Sequence, residues 1–149
     1  QRSKNEDVQA GTDIYLVDTL GEMGLMYRLA PIVFVGGSFV DVGGHNPLEP
    51  ARLDCALLFG PHMYNFDASS ASLLEGDGAI QVARESDLIA ELTHLLGDPD
   101  DCQAQAARAS EVASRSSGVA ARIGDLLLAA LPSAKAANPS SQGTEHEKP

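Results

Sequence analysis

The residue types able to do chemistry concentrate in one stretch, Val35 to Ala51, which reads VGGSFVDVGGHNPLEPA. It combines loop glycines at 36, 37, 43 and 44 with Ser38, His45, Asn46, Pro47 and Glu49. Glycines let a backbone come close to a ligand. Asn as N-cap with Pro in the first helical position starts a helix whose free N–H groups and positive dipole end face the loop. That outline suits an anion. Glu49, one turn further on, reaches over the same opening, where a carboxylate would repel a phosphate but accept the two hydroxyls of a ribose. The expected division of labour is phosphate on the helix end and sugar on Glu49. The same residues also make a plain strand-to-helix turn, with Glu49 as a first-turn acid that satisfies the dipole, and spacing alone leaves both readings open.

The remaining reactive types are less organised. His45 and His62 invite a catalytic or metal role, but no His, Asp, Glu or Cys pair has metal-ligand spacing, and no metal is expected. Ser38 is outside a G-x-S-x-G setting and has no residues placed to complete a triad, so it is not read as a nucleophile. Cys55 and Cys102 lack ligand spacing and read as buried or idle thiols in a reducing compartment. His94 reads as a surface residue.

The elements that must position the central stretch follow from periodicity. Residues 1–12 are a polar lead-in. DIYLV (13–17) reads as a first strand and IVFV (32–35) as a strand buried on both faces. Leu57 to Phe59 make the next strand and AIQVA (79–83) the last. Between them, Leu25, Met26, Leu29 and Ala30 recur at helical spacing after a cap at Asp18 or Thr19. NPLEPARL and Ala68 to Leu74 are the next helices. Ser86 is expected to cap DLIAELTHLLG, and an alanine-rich helix runs from Asp98 and Pro99 to about Leu131, with a weak point at Ser116 to Gly118. Tyr27 and Phe34 are assigned to the core.

Strands alternating with helices at this interval predict α/β architecture with a Rossmann-like parallel sheet. Ligands then bind beyond the carboxyl ends of the strands, where the loops Asp18 to Glu22, Gly36 to Asn46, and Gly60 to Phe66 converge. The third of these offers His62, Tyr64 and Asn65. Residues 13–131 are read as a partial nucleotide-sugar-binding domain and 132–149 as a disordered tail. The abrupt start suggests a domain truncated at its N-terminus.

Composition narrows the function classes. At 149 residues and 44% hydrophobic content there is material for one α/β domain and not for two. A formal net charge of −11 disfavours nucleic acid and anionic membranes as partners, so a bound phosphate must be held by local donors. No stretch reaches the roughly 20 apolar residues of a membrane span, and the chain is expected to be soluble as given.

Taken together, GEMGLMY, VGGS, GGHNPLEPA and FGPHMYNF, spread over Asp13 to Leu96, resemble the C-terminal half of the bacterial 3-deoxy-D-manno-octulosonic acid (Kdo) transferases. The resemblance implies the C-terminal domain of a two-domain GT-B glycosyltransferase that binds the donor CMP-Kdo. It further implies inverting transfer to a lipid A precursor, in lipopolysaccharide biosynthesis, at the cytoplasmic face of the inner membrane, with no metal and no cofactor. Carried over, the CMP-binding positions are Leu20, Gly21 and Glu22 in the first loop, and Asn46, Pro47, Leu48 and Glu49 at the helix start. Ser38 and His45 rank second. The family's catalytic Glu belongs to the acceptor domain and has no counterpart here, so this chain is expected to hold no catalytic residue and to be inactive alone. Pro31, Arg52, Asp54 and Cys55 depart from the expected pattern without touching a named contact.

Two other readings remain at this point. A GT-B domain could take another sugar nucleotide, against which GGHNPLEPA argues. A truncated or degenerate fragment could bind a nucleotide without catalysis.

Overall fold

The computed structural model describes the backbone of residues 1–130 and the side chains of residues 1–115. The chain divides into two units, Gln1–Ser117 and Gly118–Pro149. The first holds a parallel sheet of three strands, β1 (Ile32–Val35), β2 (Ala56–Phe59) and β3 (Ala79–Gln81), in the order β1-β2-β3. Val33 pairs with Leu57, and Leu57 with Ala79. The helices are α1 (Met23–Leu29), α2 (Leu48–Ala51), α3 (Asp67–Glu75), α4 (Glu85–Gly97) and α5 (Pro99–Ala130). The part of α5 in the second unit is its backbone through Ala130. The expected end near Leu131 and the tail over 132–149 lie outside the described residues.

The middle strand organises the core. All four residues of β2 are buried, and successive side chains leave opposite faces of the sheet, so Leu57 and Phe59 enter one apolar cluster and Ala56 and Leu58 the other. Full burial of each large side chain contributes about 1.5–3 kcal/mol. Helix α5 serves both faces. Its first turns place Cys102 and Ala106 in one cluster, and its later turns place Ala109, Val112 and Ala113 in the other. Between these two sets, Gln105 Nε2 donates to the Leu57 carbonyl at 2.9 Å. Small residues let the helix approach closely. The part of α5 from Cys102 to Ala113 is thus an intramolecular docking face.

Several expectations are corrected. DIYLV forms no strand, and Ile14 and Leu16 are exposed. Its hydrogen bonds turn to the lead-in instead: the Arg2 N–H donates to the Leu16 carbonyl at 2.8 Å and the Tyr15 hydroxyl to the Glu6 carbonyl at 2.8 Å. β1 is therefore an edge strand among the described residues, and only Val35 of IVFV is buried. Helix α1 buries no residue, and Leu25 and Leu29, expected on its inner face, are exposed. Asp18 and Thr19 do not cap it; Glu22 is its N-cap position. Nor does Ser86 cap α4, which begins at Glu85 after Arg84 with no side-chain cap.

The approach of α5 depends on Gly78. A Cβ there would lie 2.8 Å from Ala109 Cα and 2.9 Å from its nitrogen, both backbone atoms that cannot rotate away. Gly78→Ala is expected to destabilise the fold by about 1–3 kcal/mol through overpacking, read as a lower urea midpoint with unchanged slope.

Candidate functional site

The cleft at the carboxyl end of β1 is built from the loop 36–46, α1 and α2. Its volume is about 510 Å³. It is lined by Gly36, His45, Asn46, Glu49 and Pro50, by Met23 and Tyr27 of α1, and by Phe66 from the third loop. The loop is shaped by glycine where other residues cannot serve. Gly43 and Gly44 have φ of 87° and 70°, and a Cβ on either would collide with Asn65 or with the Met63 sulfur. The Gly44 N–H donates to the Gly37 carbonyl at 3.2 Å, and Asn65 Nδ2 to the Val42 carbonyl at 3.0 Å.

Asn46 serves two partners. Its Oδ1 accepts the Leu48 N–H at 3.1 Å, and its Nδ2 donates to Glu49 Oε1 at 3.3 Å. The helix starts at Leu48 with Pro47 in the N-cap position, one residue later than Asn–Pro spacing suggests, but the capping bond from Asn46 is made. Glu49 is thereby held over the cleft opposite Tyr27. The Tyr27 hydroxyl is pushed above its ordinary pKa by burial and then by the Glu49 carboxylate, which keeps it a neutral donor.

The other named residues divide. Pro47 is fully buried and Leu48 packs against the core, so both shape the turn from behind the cleft. Ser38 is fully buried too: its Oγ donates to the Val35 carbonyl at 2.5 Å and accepts the Gly60 N–H at 2.8 Å. It ties two strand ends together and does not face the cleft. Of the third loop, Phe66 alone lines the opening, while Asn65 braces the glycines and Tyr64 is exposed. In the first loop, Leu20 is fully exposed and Gly21 has φ of 84°. The N–H groups of Leu20, Gly21 and Glu22 donate to no acceptor among the described residues.

The Glu22 carboxylate is already engaged. Arg2 Nε lies 3.0 and 3.1 Å from its two oxygens, Arg2 Nη2 lies 2.5 Å from one of them, and the Thr19 hydroxyl closes on the other. These hydrogen bonds hold its pKa down to about 2 from the ordinary 4.5.

Sequence reasoning missed Met23 and Tyr27 as a cleft wall, although they stand four residues apart and hence on one helix face. It also missed Arg2, one of two cations in an unpatterned lead-in. His94 lies on the surface, 2.9 Å from Asp101. Both thiols are buried and free, and burial raises the pKa of each. A second, more apolar groove between Pro31, Leu95, Leu96 and Cys102 sits at the start of β1 and holds none of the candidate residues. No described helix is long and apolar enough to cross a membrane.

A parallel α/β sheet with a glycine-lined cleft beyond its strand ends defines a Rossmann-like domain of the kind that forms the C-terminal half of GT-B enzymes. The structure resembles the solved C-terminal CMP-Kdo binding domain of WaaA from Acinetobacter baumannii with a TM-score of 0.71 at 30% identity, covering 74% of this chain and 58% of that one. A Kdo transferase of Rickettsia felis is 39% identical over 107 residues, which is 72% of this chain and 23% of the relative. One of Haemophilus influenzae is 35% identical over 128 residues, 85% of this chain and 30% of the relative. A probable mitochondrial Kdo transferase of Arabidopsis thaliana is 36% identical over 103 residues, 66% of this chain and 23% of the relative. No family model matches. The chain belongs to the 3-deoxy-D-manno-octulosonic acid transferase family and corresponds to the C-terminal domain of its members. It spans less than a third of the length of each of these three relatives.

Two measurements test the geometry. Ser38→Ala strands the buried Gly60 N–H and is expected to cost about 1–3 kcal/mol in chemical unfolding. Glu22 binds its proton more weakly in the native state than when unfolded, so its stabilisation is complete above about pH 4.5 and lost as pH falls through about 2. In an NMR titration the Glu22 carboxyl of the parent chain should deprotonate well below the ordinary carboxylate range and return towards it in Arg2→Gln. An ordinary value in the parent would mean that Arg2 does not hold Glu22 in solution.

Proposed function

We infer that this chain is the donor-binding part of a Kdo transferase and that its cleft takes the nucleotide of CMP-Kdo. The observation that carries the reading is the placement of Asn46 and Glu49 together in the cleft of a domain that resembles a solved CMP-Kdo binding domain. Asn46 is occupied by Leu48 and Glu49, so it orders Glu49. The Glu49 carboxylate accepts the ribose hydroxyls. The N–H groups of Leu20, Gly21 and Glu22 supply donors that suit the phosphate, in a chain whose net charge offers it no long-range attraction. His45, beside Asn46, adds a further donor.

In the complete enzyme the sugar passes to a lipid A precursor held by another domain, with inversion, at the cytoplasmic face of the inner membrane. A carboxylate outside this chain removes the acceptor proton. The residues here bind and orient the donor, and the leaving CMP is stabilised by the same donors that held it. Kdo transfer by this chain alone would overturn that division.

Calorimetric titration of the folded chain with CMP, with UMP and AMP as controls, tests the reading. CMP is expected to bind preferentially, and Glu49→Ala to weaken it by about tenfold, the loss of a charge-assisted hydrogen-bonded pair. A folded chain that binds no nucleotide, or binds all three alike, would leave family membership intact and remove the donor-site assignment.

A further inference from the structure

Helix α1 supplies a wall of the cleft through Met23 and Tyr27, yet it buries none of its residues. Its attachment is polar at both ends. At the C-terminal end the buried Cys55 Sγ lies 3.0 Å from the Tyr27 carbonyl and 3.3 Å from that of Ala30, both within reach of its single S–H. At the N-terminal end the tether is Glu22, gripped by Arg2 through both carboxylate oxygens and by the Thr19 hydroxyl.

Arg2 is itself fixed. Its N–H donates to the Leu16 carbonyl, while Gln1 and Ser3 hold the Asp18 carboxylate, Ser3 through its N–H at 2.9 Å and its hydroxyl at 2.6 Å. The lead-in and residues 16–22 therefore form one hydrogen-bonded unit that runs directly into α1. A guanidinium fork on two carboxylate oxygens sets the carboxylate's orientation as well as its charge, which an ammonium cannot do. Exposed ion pairs contribute little to global stability. Here the element at stake has no fully buried residue and reaches the core through Tyr27, so a small local energy at its N-terminal end bears on how that end sits.

We propose that Arg2 is a positioning residue of the cleft: acting through Glu22, it fixes the entry into α1 and so the placement of Met23 and Tyr27 opposite Glu49. Arg2 lines no part of the cleft. Its effect on nucleotide affinity rests on the donor-site reading above, whereas its effect on the wall does not.

The test uses Arg2→Gln, Arg2→Lys, Glu22→Gln and the double variant Arg2→Gln/Glu22→Gln in the whole chain. The first readout is taken without nucleotide, from the NMR signals of the Met23 methyl and the Tyr27 ring, with Leu57 and Leu58 methyls reporting an intact core. The Met23 and Tyr27 signals should shift in Arg2→Gln and in Glu22→Gln, and by less in Arg2→Lys. CMP affinity is the second readout. It should fall about three- to fivefold in Arg2→Gln, with no further loss in the double variant, because both changes break one tether. Unmoved Met23 and Tyr27 signals in a folded Arg2→Gln variant would overturn the proposal, as would a CMP loss that adds in full, since Arg2 would then meet the ligand itself. A parent chain that binds no CMP overturns the donor-site reading, and the Met23 and Tyr27 signals still decide the tether.

Discussion

The cleft depends on how the carboxyl ends of β1 and β2 are joined. Ser38, fully buried, donates to the last residue of β1 and accepts from Gly60, the residue after β2, while the Ser38 carbonyl accepts the His62 N–H at 3.0 Å. These three bonds pair backbone groups of both strand ends at the point where the chain stops being sheet. They also set the point from which the loops diverge. With Ser38 held, the chain must rise over 39–42 and return through Gly43 and Gly44, whose left-handed backbone and contacts with Met63 and Asn65 admit no side chain. Asn46 and Glu49 arrive at the cleft from that return.

Charge constrains the ligand as firmly as shape does. Among the described residues, those that line the cleft include a carboxylate, Glu49, and no lysine or arginine, in a chain of net charge −11. An anion entering it gains nothing from long-range attraction and depends on hydrogen-bond donors a few ångströms away. Under the donor-site proposal this divides the ligand: the Glu49 carboxylate accepts hydroxyl donors and repels a phosphate placed beside it, so the sugar edge of a nucleotide would lie at Glu49 and its phosphate edge away from it.

Sequence patterns carried the architecture wherever burial was decided locally. IVFV, ALLF and AIQ became strands because each is bounded by turn residues and, in β2 above all, finds apolar neighbours on both faces. The glycine-rich return and the Asn46 cap were legible for a similar reason, being short-range backbone chemistry. What depended on distant partners was not legible. DIYLV has the composition of a strand, but a strand needs a neighbour, and its groups bond to residues 2–6 instead. The periodic apolar residues of α1 suggested an inner face that nothing in the described chain covers. Ser38 sits in a motif that suggests a ligand contact, and only the three-dimensional position of Gly60, 22 residues away, shows its hydroxyl already engaged.

These differences share one physical cause, which also separates the two sides of the cleft. The side made by the glycine return and α2 is anchored in the core: Pro50 and Ala51 are buried, and Leu48 and Phe66 pack on the cluster that contains Leu57 and Phe59. Moving it would expose apolar surface at about 25 cal/mol per Å². The α1 side contributes Tyr27 to that cluster but buries no residue, and it stands on hydrogen bonds from Cys55 and Arg2. Local opening free energies follow apolar burial, so α1 belongs to the low-stability end of this domain and the Asn46–Glu49 side to the high end. A ligand that touched only the anchored side would find a preformed surface. One that also touched Met23 and Tyr27 must select the placement of α1 in which they face Glu49, and its affinity is lowered by the fraction of molecules in which the wall is elsewhere. The residues that set this fraction lie outside the cleft, in a lead-in whose sequence carries no sign of a site.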